Sequence, residues 1–144
     1  MRLAIVLITF IAVAGNAASI DDVKSMLESR NDSCAQVAFK ETQEMVSQAE
    51  KSYMTGNMQG VDQVMDNVYE TYHRNEVHYF SLKGESERLR NILAKIKAKM
   101  LQIDNLDAKN SIEDLARTAD IKLNMCDIEG ANSIISDLES KLNF

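Results

Sequence analysis

The two histidines are the first side chains to consider for metal or acid–base chemistry. His73 and His78 lie five residues apart, which places them about 140° apart around a helix of 3.6 residues per turn. They cannot share a metal ion as residues four apart would. Glu76 lies between them, but no cysteine or third ligand is near in the sequence. We interpret both histidines as solvated side chains on a helix flank and predict no metal site.

No other motif predicts an enzyme. No serine stands in a Gly-x-Ser-x-Gly sequence, and no glycine-rich phosphate loop is present. The paired acids Asp21-Asp22 and Glu113-Asp114 fall in predicted first turns of helices, where carboxylates stabilise the positive end of the helix dipole. We therefore predict that the protein is not an enzyme and uses no cofactor.

Cys34 and Cys126 are the remaining reactive side chains. In an oxidising compartment the simplest arrangement is one disulfide between them, which would close a loop of about 90 residues. An intermolecular bridge and two buried thiols are the alternatives. Asn31-Asp32-Ser33 is a glycosylation sequon, although Asp32 and Cys34 disfavour its use.

Basic residues cluster in one segment of an acidic chain. The formal net charge is −6, yet residues 83–99 carry six basic and two acidic side chains. On a helix they would flank an apolar seam and could dock an acidic protein surface or a sulfated glycan. The alternative is that their stems cover the core and their charges answer acidic neighbours. We name as the basic strip Arg88, Arg90, Lys95, Lys97 and Lys99.

Aromatic residues supply a second candidate surface. Tyr69, His73, Glu76 and Phe80 follow one another at spacings of four, three and four, so they share one helical face. If this aromatic stripe is exposed, Tyr69, His73 and Phe80 would anchor a protein contact. If the helix is covered on two sides, Tyr69 and Phe80 are core residues.

The N-terminus predicts secretion. Met1 and Arg2 precede an apolar run from Leu3 to Ala14, and Gly15-Asn16-Ala17 provides small residues for cleavage. This pattern is typical of a signal peptide and is too short to span a membrane. We predict a signal peptide over residues 1–17 and a secreted, extracellular chain over residues 18–144 that forms a single all-helical domain.

Composition narrows the class further. The chain has 144 residues, 45% of them apolar, and no proline. It is too apolar for disorder, and its acidic balance disfavours nucleic acid as a partner. A length in the range of about 100–200 residues is typical of one domain.

Apolar periodicity predicts helices throughout the mature chain. We expect an all-α, compact antiparallel bundle of five to six helices. The second helix is predicted to begin at Asp32 or Ser33 and to end at Gly56. Gly84 is predicted to separate a third from a fourth helix. The fifth is predicted to be capped by Asn110 with Glu113.

The chain also resembles itself at a shift of 70 residues. Asn57-Met58-Gln59-Gly60-Val61 falls on Asp127-Ile128-Glu129-Gly130-Ala131, with helical residues aligned on either side. Each copy reads as a helix, a short turn and a second helix. This resembles the helical hairpin of tetratricopeptide repeats at Tyr53, Gly56, Asn57, Met58 and Val61. Two copies 70 residues apart are not an array, so the resemblance implies hairpin geometry only.

Several motifs resemble those of the small anopheline mosquito salivary proteins of the albicin and anophensin type. They are the start Ser19-Ile20-Asp21-Asp22-Val23-Lys24, Asn31-Asp32-Ser33-Cys34-Ala35, and Asn124-Met125-Cys126-Asp127 in a small acidic helical chain. The resemblance implies a blood-feeding effector that binds a host plasma protein or protease complex. The convertase of the alternative complement pathway, or contact-phase factors of kallikrein and kinin generation, would be its partner.

Two other functions remain open at this point. A secreted carrier could hold a small apolar ligand between helices lined by Met45, Met65, Met100 and Met125. A structural subunit or homo-oligomer could use Asn75, the polar position of an exposed heptad seam, to specify a partner helix.

Overall fold

The computed structural model describes residues 20–143, and these form six helices and no strand. Helix α1 covers residues 20–28, α2 Ser33–Ala38 and α3 Lys40–Met54; α4 is Met58–Met100, α5 Leu106–Asn124 and α6 Ile128–Leu142. The all-α prediction is confirmed. The predicted signal peptide lies outside the described residues. No described helix is both long and apolar enough to cross a bilayer.

The chain divides into two compact units at His78 and Tyr79. Unit 1, described from residue 20 to residue 78, contains α1, α2, α3 and the first part of α4. Its core joins apolar side chains of α1, α3 and α4, because each of these helices has one buried apolar face. The buried members are Ile20, Val23, Val46, Ala49, Val61, Met65 and Val68.

Unit 2, described from residue 79 to residue 143, contains the second part of α4 together with α5 and α6. Three helices again enclose one apolar core. Its buried members are Leu89, Leu93, Ile96, Ile112, Ala116, Ala119, Leu123, Ala131, Ile135 and Leu138.

The two hairpins match position by position at the shift of 70 residues. The burial pattern of residues 41–50 is the same as that of residues 111–120. Equivalent residues are buried on both sides of the turn, so the internal repeat is present in the structure as well as in the sequence. The buried pairs are Thr42 and Ile112, Val46 and Ala116, Ala49 and Ala119, Val61 and Ala131, Met65 and Ile135, and Val68 and Leu138.

A third helix of each unit also matches, although at a shift of 73 residues. Ile20 and Val23 of α1 correspond to Leu93 and Ile96 of α4, and all four are buried. The shift changes because the segment that joins α1 to α3 in unit 1 is three residues longer than the segment that joins α4 to α5 in unit 2. Each unit is therefore one copy of a three-helix arrangement.

An ion pair recurs at the same place in both copies. Lys24 of α1 pairs with Glu50 of α3, and Lys97 of α4 pairs with Asp120 of α5. Lys24 corresponds to Lys97 at the shift of 73 residues, and Glu50 corresponds to Asp120 at the shift of 70. The hydrogen bond from Lys24 to Glu50 raises the pKa of Lys24.

The two hairpin turns have the same backbone geometry. Gly56 and Cys126 both have positive φ, at +74° and +56°, a conformation that ends a helix and is ordinarily adopted by glycine. The following N–H donates to the carbonyl five positions back in each turn: Asn57 to Ser52 at 2.8 Å, and Asp127 to Lys122 at 2.9 Å. The predicted pair of similar hairpins is confirmed.

The next helix of each hairpin is capped in the same way. Oδ1 of Asn57 accepts from the N–H of Gly60 at 3.0 Å, and Oδ1 of Asp127 accepts from the N–H of Gly130 at 2.9 Å. A Cβ atom at Gly60 or Gly130 would lie 2.6 or 2.5 Å from the capping side chain. A larger residue there would require the capping side chain to shift, so glycine fits this arrangement of the cap.

Three predicted helix boundaries are wrong. The predicted second helix is two helices, since Phe39 breaks it between α2 and α3 and stacks on Tyr72 with ring centroids 5.0 Å apart. Gly84 does not break α4, because the burial of flanking residues such as Leu89 outweighs the modest helix penalty of one glycine. Helix α5 is capped by Asn105, which accepts from the N–H of Ala108, and not by Asn110.

The heptad-seam interpretation of Asn75 is also corrected. Asn75 is buried, and its Oδ1 accepts from the Thr42 hydroxyl at 2.6 Å and from the Thr42 N–H at 3.3 Å. A buried amide must find partners, and this one finds them inside unit 1. It is therefore not on an exposed seam for a partner helix.

The predicted disulfide is confirmed, because Cys34 is bonded to Cys126 and neither cysteine is free. Both side chains are buried. The alternatives of an intermolecular bridge and of two thiols are excluded.

Candidate functional site: an exposed face of helix α4

Three side chains of α4 in unit 1 form an exposed face. Tyr69, His73 and Val77 are spaced four residues apart and so lie on one side of the helix. Tyr69 is 38% exposed, Val77 is 73% exposed, and the His73 side chain is largely in solvent. The opposite side of α4 is buried at Val68 and Asn75. We name Tyr69, His73 and Val77 the α4 face.

A polar cluster fixes the rim of the α4 face. Arg30, from the connection between α1 and α2, donates from Nη2 to Glu76 Oε2 at 2.8 Å and from Nε to Tyr72 Oη at 3.4 Å. His73 Nδ1 lies 3.8 Å from Glu76 Oε1, and its ring meets Tyr72 edge to face. Arg30 is thus hydrogen-bonded to two residues of α4 beside His73, and the His73 ring lies against Tyr72. Preorganised contacts lower the cost of binding a protein.

Phe80, the last member of the aromatic stripe, belongs to unit 2. It is 56% exposed and meets Tyr79 edge to face, with ring centroids 5.3 Å apart. The interpretation of Tyr69 and Phe80 as core residues is therefore wrong, and the exposure that a protein contact needs is present at both. The binding role itself stays a prediction.

The basic strip is mostly engaged within unit 2. Arg90 donates to Asn124 Oδ1 at 3.0 Å and Lys99 to the carbonyl of Leu142 at 2.9 Å. Lys97 pairs with Asp120, as described above, so these three cations tie α4 to α5 and α6.

The other two members of the basic strip differ. Arg88 donates to Glu85 on its own helix at 3.0 Å, and Lys95 is exposed. An exposed pair of this kind contributes little to stability. Two of the four contacts are with acidic neighbours, as the second interpretation predicted, and two are with an amide and a backbone carbonyl. Internal engagement therefore matches these contacts better than a continuous docking surface does.

The four methionines proposed to line a carrier pocket do not lie together in one unit. Met65 is buried in the core of unit 1, and Met45 packs against that core. Met100 packs against the core of unit 2, whereas Met125 is exposed. Three of the four therefore pack in or against a core, and no described contact favours the carrier interpretation.

Each unit has a shallow groove between its first and second helices, and the two grooves are equivalent. One has a volume of about 410 Å³ and the other about 210 Å³. The recurring Lys–acid pair lines both. The larger is lined by Lys97, Ala98, Met100, Leu101, Glu113, Ala116, Arg117 and Asp120, and the smaller by Lys24, Leu27, Glu28, Gln43, Val46, Ser47 and Glu50.

Metal-ligating side chains are not clustered in the part of the chain that is described. Within residues 20–143, no three His, Cys, Asp or Glu side chains are arranged to hold a metal ion. His73 contacts Glu76 and Tyr72, and His78 is exposed. The absence of enzymatic activity stays a prediction.

No family model, curated protein or solved structure matches this chain. The resemblance to mosquito salivary proteins is therefore an expectation that rests on the quoted motifs alone.

Two residues of the site were not anticipated. Val77 is an apolar residue that lies outside the predicted apolar seam of α4. That position was the signal in the sequence that could have indicated its exposure. Arg30 lies in a connection of unit 1, and nothing in the local sequence indicates that it reaches Tyr72 and Glu76.

Proposed function

We propose that this protein is a secreted salivary effector that inhibits host plasma defence by binding protein. Its target would be the alternative pathway of complement, through the convertase, or the contact-phase generation of kallikrein and kinin. The motif resemblance supplies the target class. The α4 face supports the proposal on the structural side, because Tyr69, His73 and Val77 are exposed on one side of a helix.

Inhibition would proceed by occlusion or stabilisation of the protease complex. Substrate-like inhibitors insert an extended loop, but the connections between the six described helices are short: residues 29–32, 39, 55–57, 101–105 and 125–127. A helical face presents side chains of fixed spacing, and aromatic anchors of this kind dominate many protein interfaces. The ordered surroundings of His73 would reduce the entropy lost on binding.

The predicted signal peptide supports secretion, and the Cys34–Cys126 disulfide is compatible with an extracellular protein. Proteins that act in plasma need a fold that survives outside the cell. A disulfide that closes a long loop stabilises the folded state mainly by restricting the unfolded chain.

The test is a pair of plasma assays with the purified, oxidised mature chain. We expect it to slow lysis of erythrocytes through the alternative pathway at low and at near-physiological salt, in proportion to its concentration. Reduced and alkylated protein is the control, because it has the same amino-acid sequence without the disulfide. If lysis and kallikrein generation are both unchanged, the proposal is wrong.

A further inference from the structure

One motif of unit 1 takes no part in the proposed contact with a target. Asn31-Asp32-Ser33 has the form Asn-x-Ser with a middle residue other than proline, which is the acceptor sequence for an N-linked glycan. No other asparagine of the chain is followed at the second position by serine or threonine. A glycan is bulky and hydrated, so its asparagine must lie at the surface of the fold.

The fold leaves the Asn31 side chain accessible. Asn31 is exposed and lies in the connection between α1 and α2, outside any helix. Within residues 20–143 its side-chain amide has no hydrogen-bond partner. A glycan on this amide would therefore displace no side-chain contact of the folded chain.

The other sequence that resembles an acceptor lies in unit 2. Asn124-Met125-Cys126 has the rarer form Asn-x-Cys. Asn124 Oδ1 accepts from Arg90 at 3.0 Å, and Cys126 is bonded to Cys34. The folded protein thus has no thiol at the third position of this motif, which makes Asn124 a matched control for Asn31.

We propose that Asn31 carries an N-linked glycan. Asn31 Nδ2 loses a proton and forms a bond to the anomeric carbon of the N-acetylglucosamine that begins a lipid diphosphate-linked oligosaccharide. The bond from that carbon to the diphosphate oxygen breaks, and the lipid diphosphate leaves with the electron pair. The Ser33 hydroxyl marks the acceptor for the oligosaccharyltransferase. The proposal rests on secretion, which is part of the proposed function, and is independent of the target.

The two neighbours that disfavour the sequon do not forbid its use. Cys34 can bond to Cys126 only after the chain between them has been synthesised, whereas the transferase acts as the chain enters the secretory pathway. Asp32 permits the reaction, since proline is the excluded middle residue, although its negative charge lowers the efficiency of transfer. We therefore expect secreted protein to be a mixture of glycosylated and unmodified chains.

The intact mass of the secreted protein tests the proposal. The full chain is produced in cultured human cells and measured before and after digestion with peptide N-glycosidase F. We expect two species, one with the mass of the unmodified mature chain and one heavier by an N-linked glycan. Digestion should remove the added mass and convert Asn31 of the heavier species to aspartate, which peptide sequencing locates.

Three variants complete the test. Asn31→Gln should remove the heavier species and keep the helical circular dichroism of the native chain, whereas Asn124→Gln should retain the heavier species. Ser33→Thr should raise the glycosylated fraction, because threonine is the better acceptor for the transferase. A native chain with the unmodified mass alone would overturn the proposal, and so would a glycan that persists in Asn31→Gln.

A second leader distinguishes this proposal from the prediction of secretion. In that chain the leader of a protein known to be secreted replaces residues 1–17. If this chain alone enters the medium, the predicted signal peptide is wrong, and the glycan is read from the chain with the replaced leader. An unmodified mass in that chain would still overturn the assignment of Asn31.

Discussion

Units 1 and 2 repeat one three-helix arrangement, but they differ in burial at the end of the first hairpin helix and in chemistry at one buried position. The apolar core positions, the hairpin turn and the Lys–acid pair are present in both. Leu123 is buried in unit 2, whereas Tyr53 at the same position is half exposed. The comparison separates positions that are buried in both units from a position that is buried in only one of them.

The cores also differ at one position. Unit 1 buries a polar pair, Thr42 with Asn75, where unit 2 has the apolar Ile112. A buried hydrogen-bonded pair contributes less than apolar packing but restricts which helices can pair. We expect unit 1 to gain a unique alignment of α3 on α4 from this contact.

The largest expected effect is loss of the disulfide. Cys34→Ser with Cys126→Ser should lower the free energy of unfolding by about 4 kcal/mol, because the unfolded chain without the disulfide has more conformational entropy. Cys34→Ser with Cys126→Gly should be about 0.5–1 kcal/mol more stable than the double serine variant, since glycine suits the positive φ that Gly56 has in unit 1. Urea unfolding measures both. A serine variant as stable as the glycine variant would break the equivalence of the two turns.

Equivalent core truncations should destabilise their own units. Met65→Ala and Ile135→Ala each remove a buried side chain, at an expected cost of about 2–5 kcal/mol. Amide hydrogen exchange should show the larger loss of protection in α3 for the first variant and in α5 for the second. Equal losses in both units for either variant would contradict two separate cores.

A smaller effect is expected at the buried polar pair. Thr42→Val leaves Asn75 Oδ1 without its hydroxyl donor, which should cost about 1–3 kcal/mol. Thr42→Val with Asn75→Leu makes the pair apolar, as unit 2 is at Ile112, and should recover part of that loss. The urea midpoints of the three proteins test this. A double variant that is less stable than the single one would show that the amide has another structural role.

The smallest expected effect distinguishes the two helix-capping residues, Asp127 and Asn57, because only Asp127 can be protonated in acid. Lys122 and the Gly130 N–H hold the pKa of Asp127 below its ordinary value. A lowered carboxyl pKa stabilises the fold above the unfolded pKa of about 3.8, and this contribution is lost as pH falls through the lower folded value. Asn57, at the same position in unit 1, does not titrate.

Exchange of the two caps tests that difference. In native protein the Gly130 amide should lose protection in acid more than the Gly60 amide does. Asp127→Asn should remove this acid dependence, and Asn57→Asp should introduce it at Gly60. NMR exchange rates between pH 2 and pH 5, a window chosen around the carboxyl value of about 3.8, provide the measurement. The same acid dependence at both amides of the native protein would contradict the assignment.

Much of the fold could be predicted from local pattern. Apolar spacing predicted the helices, and the match of Asn57 to Asp127 predicted two similar turns, because both signals reside in short stretches of sequence. The break at Phe39 could not be predicted from local pattern, and Tyr72, on which the Phe39 ring stacks, is distant in sequence. The continuity of α4 through Gly84 could not be predicted either, because it depends on how the residues on either side of Gly84 pack against other helices.

The repeat of the first helix was hidden for a different reason. Lys24 and Lys97 align only at a shift of 73 residues, whereas the hairpins align at 70. The connections between first and second helices differ in length, and a single shift cannot reveal both matches.

The candidate surfaces were less predictable than the fold. Periodicity placed Tyr69 and Phe80 on one stripe but did not determine whether it was covered. The partners of Arg90 and Lys99 lie on other helices, so their engagement required the tertiary structure.

Lysis through the alternative pathway, measured with two matched variants, tests most directly whether the α4 face binds the target. Val77→Asp places a charge in the α4 face of unit 1, and Ile121→Asp places the same charge on an exposed apolar position of unit 2. Both should keep the helical circular dichroism of the native chain. We predict that Val77→Asp loses at least about tenfold in inhibitory potency and that Ile121→Asp keeps it. Equal potency of the native protein and the Val77→Asp variant would contradict this account.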